Sequence, residues 1–335
     1  MYKASQIASI IKAKTTAPKT DVLVEHLLLD SRKLLFPATS IFFALDGPRR
    51  AGSLFIPELY DKGVRCFVVA ADFSETEIKR YKGAFFFQVQ DVLQALQSLT
   101  AHHRLQFRLP VIGITGSNGK TIVKEWLYQL LQPDQNIVRS PKSFNSQIGV
   151  PLSVWQIHEE NTLGIFEAGI SQPGEMQHLA RIIAPSVGVI TSIGEAHGEG
   201  FLNIRQKINE KLRLFVKSDV LIYCADNPDL NDAVNTFKNN VRGNEDFKLF
   251  SWSKKESATL QVMAVEKGNA QTNISARFNE EEINFTIPFT DEASVENAIT
   301  CCCVLLHLGV TAENIAHRMP QLRYVEMRLE LKQGI

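Results

Sequence analysis

The sequence predicts an α/β protein: a small mixed α/β N-terminal domain over residues 1–107, then a larger central domain over residues 108–323 whose sheet is mostly parallel with an antiparallel flank. Three observations predict it. From Arg108 onward, the apolar runs "VIGIT", "NIVRS", "LGIFEAG", "VGVITSI" and "VLIYCA" lack strict alternation, and each is followed by a helix or loop. That is the pattern of strands buried on both faces of a parallel sheet. Between about Lys248 and Pro288, "KLFSWS", "TLQVMAVE", "NISARF" and "INFTIPF" read as strands of an antiparallel flank. Ahead of Arg108, strands and helices alternate on a smaller scale, which sets that stretch apart as a domain of its own.

The chain opens on "MYKASQIASIIKAK", read as an amphipathic helix, without the apolar core or cleavage site of a secretory signal. "SIFFAL" (Ser40–Leu45) and "CFVVA" (Cys66–Ala70) read as strands, Ser53–Gly63 as a helix stopped by glycine, and Asp91–Leu105 as a helix. Further on, Ser294–Gly309 reads as a helix with a serine cap and a glycine stop, and "TAENIAHRM" as another. The last residues, "YVEMRLELKQGI" (Tyr324–Ile335), read as a strand in a linker (324–335) leading to a domain beyond the sequence.

Composition narrows the function. A chain of 335 residues, 44% hydrophobic and 21% charged, has enough apolar material for two or three cores. Lys plus Arg equals Asp plus Glu at 36 each, so no overall basic field draws nucleic acid or an anionic membrane. Anionic ligands need a local site. The longest apolar runs, such as Cys301–Leu306, fall far short of the roughly 20 residues that cross a bilayer, and the chain is expected to be cytoplasmic. Cys66, Cys224 and Cys301-Cys302-Cys303 form an odd count without zinc-site or disulfide spacing. Adjacent helical residues point about 100° apart, so the three neighbours cannot share one metal and are read as core fillers.

The segment "VIGITGSNGKTIVKEWLYQLL" (Val111–Leu131) joins an apolar strand, a glycine-rich turn and a helix. This makes the central domain a P-loop domain. Glycines such as Gly116 and Gly119 let the backbone approach phosphate oxygens, and the loop N–H groups and helix N-terminus offer positive partial charge. Lys120 can reach the terminal phosphates and Thr121 can ligate Mg²⁺. The position five before Gly119 is Ile114 rather than the commoner glycine, with glycines at 113 and 116 instead. Glu167 ends the apolar strand of "LGIFEAG", where α/β sheets place ligand groups; a carboxylate there needs either a cation or a neighbouring basic residue. His197 ends the next such strand, in "VITSIGEAHGEGF", and by spacing alone reads as structural, a lone histidine being more often that than a ligand. The basic residues of "NIRQKINEKLRLF" suit a solvated helix face.

"GITGSNGKT" resembles the ATP loop of the Mur ligase family, which typically reads TGTNGKT or TGTNGKS, with Ser117 here replacing the second threonine. The family joins an amino acid or peptide to a carboxylate using ATP. The resemblance implies that Gly116, Asn118, Gly119, Lys120 and Thr121 hold ATP, that Thr121 and Glu167 ligate Mg²⁺, and that His197 binds a second Mg²⁺. It places Lys211, in "EKLRLF" fourteen residues after His197, in the register of a lysine that is often carbamylated to bind Mg²⁺, with Lys207 as runner-up. Lys120, Glu167, His197 and Lys211 are then the catalytic set. Asn145 in "SFNSQIGVPLSV" resembles a segment that meets substrate or nucleotide. Asn297 resembles an asparagine that touches adenine, and Arg328 a linker arginine that contacts nucleotide phosphates.

At the front, Asp30, Ser31 and Arg32 match the DSR element of the UDP-binding domain found in the MurE and MurF branches. Ser and Arg are sensible donors to uridine or diphosphate oxygens. Where a Gly-Asp/Asn-Gly-His-like segment is commoner, this chain has "GPRRAGSLFI", so Arg49, Arg50 and Gly52 stand in for those contacts. "IFEAGISQPGEM" and "EAHGEGF" look most like the MurF branch, which adds D-Ala-D-Ala to UDP-MurNAc-tripeptide through an acyl phosphate. Alternatives are a MurE-type ligase adding the third stem-peptide residue, or a module that only binds ATP and UDP-sugar peptide. The front domain also resembles chains that continue into an alanine racemase, the one context that implies PLP. The resemblance covers two of the family's three domains. The third is expected to follow Ile335 and to close over ATP, so the segment alone is expected to bind its ligands with little turnover.

Overall fold

The computed structural model describes residues 1–16, 21–47, 50–194, 200–240 and 246–325. They form two compact units: Met1–Phe107 with Val154–Gln156, and Arg108–Ser153 with Ile157–Ile335.

In the first unit the elements run β1 (Tyr2–Lys3), α1 (Ala4–Ile10), β2 (Lys14–Thr16), β3 (Leu23–Val24), β4 (His26–Leu28), β5 (Ser40–Phe43), α2 (Ile56–Asp61), β6 (Cys66–Ala70), α3 (Glu75–Ile78), β7 (Phe85–Val89) and α4 (Val92–Arg104). Its main sheet has the order β2-β7-β6-β5-β4, parallel except for the antiparallel β2–β7 pair. Phe42, Phe67 and Phe86 fill one face and Ile41, Val68 and Phe87 the other, the alternation that a two-sided sheet requires. Asp91 caps α4 by accepting from Gln94 N at 2.9 Å.

Two expectations here need correction. The opening helix stops at Ile10, and Lys12 at φ 53 turns the chain into strand β2. The helix expected over Ser53–Gly63 is instead a 3₁₀ turn over Gly52–Phe55 followed by α2. Pro57 lacks an N–H to donate and so sits in the first turn, which sets the start of α2.

The second unit runs β8 (Val111–Thr115), α5 (Lys120–Leu131), β9 (Ile137–Arg139), α6 (Gly149–Val154), β10 (Leu163–Glu167), α7 (Glu175–Ile183), β11 (Val187–Ile190), α8 (Ile204–Leu212), β12 (Val220–Cys224), α9 (Pro228–Asn240), β13 (Lys248–Ser253), β14 (Leu260–Lys267), β15 (Thr272–Phe278), β16 (Glu281–Ile287), α10 (Glu292–His307) and α11 (Ala312–Arg318). One nine-stranded sheet has the order β16-β15-β14-β13-β12-β11-β8-β10-β9. Strands β8 to β13 pair in parallel, with wholly buried runs such as Val111–Thr115 and Leu163–Glu167. The antiparallel flank is narrower than the sequence suggests. "KLFSWS" pairs in parallel with β12 and β14, and only β14, β15 and β16 run antiparallel.

Helix α10 starts at Glu292 under an Asp291 cap rather than at a serine cap, because the Asp291 carboxylate accepts from Ser294 N at 2.9 Å. Cys301, Cys302 and Cys303 lie at 0% exposure in the core that α10 forms with α5 and the sheet. Tyr324 and Val325 are not in a strand, and residues 326–335 of the expected one lie outside the described residues. No helix of the described residues is long and apolar enough to cross a membrane.

Candidate active site

Strand β8 lies between β10 and β11, which makes its carboxyl end the point where the strand order reverses. Ligands of open α/β sheets bind at such a point. There β8 delivers the loop Gly116–Gly119 and then α5. Gly116 has φ 149, and a Cβ on it would lie 1.9 Å from Thr191 Oγ1. Gly119 has φ 83, and a Cβ on it would lie 2.4 Å from Asn297 Oδ1. Both positions therefore need glycine for conformation and for space.

The loop is clamped from β11's end. Thr191 Oγ1 donates to Asn118 O at 2.5 Å, and Ser117 N donates to Ser192 O at 2.8 Å. The Lys120 ammonium donates to Gly116 O at 2.7 Å and Ser117 O at 3.0 Å, so its charge sits over the loop. Lys211 Nζ, 2% exposed on α8, donates to the same Gly116 carbonyl at 3.2 Å. Lys207, the runner-up, is also buried and directs its Nζ to Gly194 O at 3.5 Å.

Helix α8 is itself tied down. Glu210 Oε1 accepts from Gly174 N at 2.7 Å and Met176 N at 3.3 Å, at the positive end of α7. Glu210 Oε2 pairs with Arg213 at 3.2 Å.

Glu167, at 0% exposure, closes the floor. Thr121 Oγ1 donates to its Oε2 at 3.0 Å, and Lys124 Nζ lies 3.0 Å from Oε1. The basic neighbour weighed against a cation is thus present: it is Lys124, and it takes one oxygen while Thr121 takes the other. Asn145 is brought to the same strand end, where its carbonyl accepts from Gly169 N at 2.8 Å. Asn297 of α10 packs on the loop at Gly119, in a small cleft shared with Trp252 and Thr300.

Among the described residues, two buried side-chain atoms here have no partner, Ser117 Oγ in the loop and Trp252 Nε1 in the cleft beside Asn297, while Glu167 Oε1 has the Lys124 ion pair but no hydrogen bond. Orphaned buried polar atoms are costly, and one in the glycine loop itself fits a polar ligand there. Among the described residues no group of three His, Cys, Asp or Glu gathers. The Glu167 carboxylate and the Thr121 hydroxyl beside a phosphate-binding loop suit Mg²⁺, which binds through one or two carboxylates, phosphates and water. Lys124, Thr191, Ser192, Glu210 and Trp252 escaped the sequence reading. A signal for Lys124 existed, a lysine one turn after Lys120 on a helix otherwise apolar at Val123, Trp126 and Leu127.

His197 and Arg328 lie outside the described residues, as does Arg49. In the first unit Asp30, Ser31 and Arg32 form a tight turn in which Arg32 Nε and Nη2 donate to the two Asp30 oxygens at 2.9 and 2.8 Å. The Arg32 side-chain hydrogen bond holds the Asp30 carboxyl down at about 2. Gly52 N donates to Asp46 at 3.0 Å, and Arg50 is exposed with its carbonyl accepting from Gly47 N at 3.0 Å.

Residues 114–305 match the Mur ligase middle domain. The chain belongs to the Mur ligase family. A UDP-N-acetylmuramoyl-tripeptide--D-alanyl-D-alanine ligase of Bacillus subtilis is 31% identical over 332 residues, which cover 97% of this chain and 68% of that protein. Among solved Mur ligases, MurF from Acinetobacter baumannii matches with TM-score 0.83 at 23% identity, over 96% of this chain and 68% of its own. MurF from Thermotoga maritima in complex with ADP matches with TM-score 0.77 at 22% identity, over 90% and 67%. These two likenesses carry the Mur ligase fold.

Proposed function

We propose that this chain acts as an ATP-dependent Mur ligase of the MurF branch, adding D-Ala-D-Ala to UDP-MurNAc-tripeptide. The observation that carries the reading is the convergence of Lys120, Thr121, Glu167 and Lys211 on one glycine loop. The 31% identity to a ligase of this name along nearly the whole chain supports the branch. A MurE-type activity has no comparable observation in its favour.

In this reading the loop N–H groups and the Lys120 ammonium bind the terminal phosphates of ATP. Thr121 and Glu167 would hold Mg²⁺, with His197 and a carbamylated Lys211 holding a second ion. Bound there, Mg²⁺ supplies positive charge against the γ-phosphate and the attacking carboxylate. The tripeptide carboxylate oxygen bonds to the γ-phosphorus as the β–γ bridging bond breaks, releasing ADP and leaving an acyl phosphate. The D-Ala-D-Ala amine then bonds to the acyl carbon, phosphate leaves with the C–O electrons, and the nitrogen loses its proton. Asn297 and Arg328 would contact the nucleotide. Asn145, Asp30, Ser31 and Arg32 would bind the UDP-sugar peptide, with Arg32 exchanging its Asp30 contacts for diphosphate oxygens. No side-chain nucleophile is needed.

Calorimetric titration with a non-hydrolysable ATP analogue and Mg²⁺, with and without UDP-MurNAc-tripeptide, tests the reading. Binding of both ligands by the wild type, with nucleotide binding lost in Lys120→Ala, is expected. Nucleotide binding alone, with no heat from the sugar peptide, would contradict it and leave a P-loop nucleotidase.

A further inference from the structure

We propose that Lys124 is the resident counter-ion of Glu167 and that it makes cation binding at this carboxylate depend on nucleotide. The inference rests on the nucleotide and Mg²⁺ reading above, and it concerns a residue to which that reading gives no role.

Lys124 sits on α5 one turn beyond Lys120, with its side chain fully buried. A buried ammonium persists only with partners. Its Nζ lies 3.0 Å from Glu167 Oε1 and 3.0 Å from Glu125 Oε1, and it donates to Ser140 O at 2.8 Å and to Lys142 O. Glu125 is shared with Arg139, whose Nε lies 3.1 Å away and whose guanidinium rests 3.6 Å over the Tyr128 ring. Arg139 thus offsets Glu125, and the Lys124 charge is left to Glu167.

The two oxygens of Glu167 therefore have different neighbours. Oε1 faces an ammonium; Oε2 accepts from Thr121, the hydroxyl the loop offers to a cation. A bare divalent ion approaching this carboxylate meets a carboxylate already neutralised by Lys124, with the Lys120 charge over the neighbouring loop. Phosphates of a bound nucleotide reverse the local sign, and the ion then gains from Glu167 without displacing Lys124. Lys124 also anchors the backbone of Ser140 and Lys142, ahead of Asn145, so it is a positioning residue rather than a catalytic one.

The test is a Mn²⁺ titration of the whole chain followed by electron paramagnetic resonance, without nucleotide and with a non-hydrolysable ATP analogue. Wild type and Lys124→Arg are expected to bind Mn²⁺ at the site only with the analogue. Lys124→Met is expected to bind Mn²⁺ without nucleotide at least about tenfold more tightly than wild type, since an unpaired buried carboxylate gains most from a cation. A merely structural role predicts the opposite sign, and an unchanged or weaker nucleotide-free affinity in Lys124→Met overturns the proposal. Should Lys124→Met fold poorly, Lys124→Met with Glu167→Gln decides. Recovery of the thermal midpoint in the double variant supports the pairing, and no recovery overturns it. The nucleotide-free arms judge this proposal; failure of the analogue to bind wild type would count against the nucleotide reading instead.

Discussion

Thr121 Oγ1 on the first turn of α5 donates to Glu167 Oε2 at the end of β10 across 3.0 Å, which joins the phosphate loop to the neighbouring parallel strand. If these two groups hold the cation, they govern nucleotide affinity only when a cation is present. Glu167→Gln is expected to remove most of the difference between analogue affinity in Mg²⁺ and in EDTA, and Thr121→Val about a tenfold part of it. Calorimetry in both buffers checks this. Equal losses in Mg²⁺ and EDTA would place the pair in the fold rather than in cation binding.

The loop glycines make a second prediction. Gly119→Ala forces an alanine to φ 83 with its methyl 2.4 Å from Asn297 Oδ1. A loss of about 1–3 kcal/mol in urea unfolding is expected, together with loss of nucleotide binding. Adding Asn297→Ala should recover the contact part and leave the backbone part. Full stability in Gly119→Ala alone would contradict this geometry.

Acid stability is expected to depend on Glu292. Its hydrogen bond to Lys254, and then that to Lys267, hold the carboxyl down at about 2. A folded value below the unfolded one, near 4.3, gives stability that is present above the unfolded value and lost as pH falls toward about 2. The side chain is 57% exposed, so Glu292→Gln should cost at most about 1 kcal/mol at neutral pH. The variant should also flatten the fall of the urea midpoint between about pH 4.5 and 2. An unchanged acid limb would remove Glu292 from that role.

The thiols are expected to be inert in the folded state. Burial pushes Cys66 up to about 12 and Cys224 to about 11, and it raises Cys301 and Cys303 well above the ordinary thiol range. An aromatic disulfide reagent at pH 8 should label none of them quickly, and all 5 after denaturation. Rapid labelling of any one in the native protein would contradict the packing.

The sequence made the local parts of the site legible and hid the parts that tertiary burial decides. The β8 loop, Lys120 and Thr121 were readable because a strand, glycines and a helix start lie within one short segment. Glu167 stood out as a carboxylate ending an apolar run, whereas Lys211, on a basic helix, was marked only by the family resemblance. Lys124 did not stand out, because a lysine on a helix is normally solvated. Its partners on β10 and at Ser140 are brought to it by tertiary packing. Thr191 was hidden for the same reason, since its contact with Asn118 depends on β11 lying beside β8. The parallel pairing of "KLFSWS" was equally unreadable, because a strand's local text does not record its neighbour's direction.

The substrate assignment is tested by a calorimetric comparison of UDP-MurNAc-tripeptide with UDP-MurNAc-L-Ala-D-Glu binding in the presence of the ATP analogue and Mg²⁺. Tighter binding of the tripeptide is the predicted result. Preference for the dipeptide would contradict the MurF-branch reading and move the chain to the step that adds the third residue.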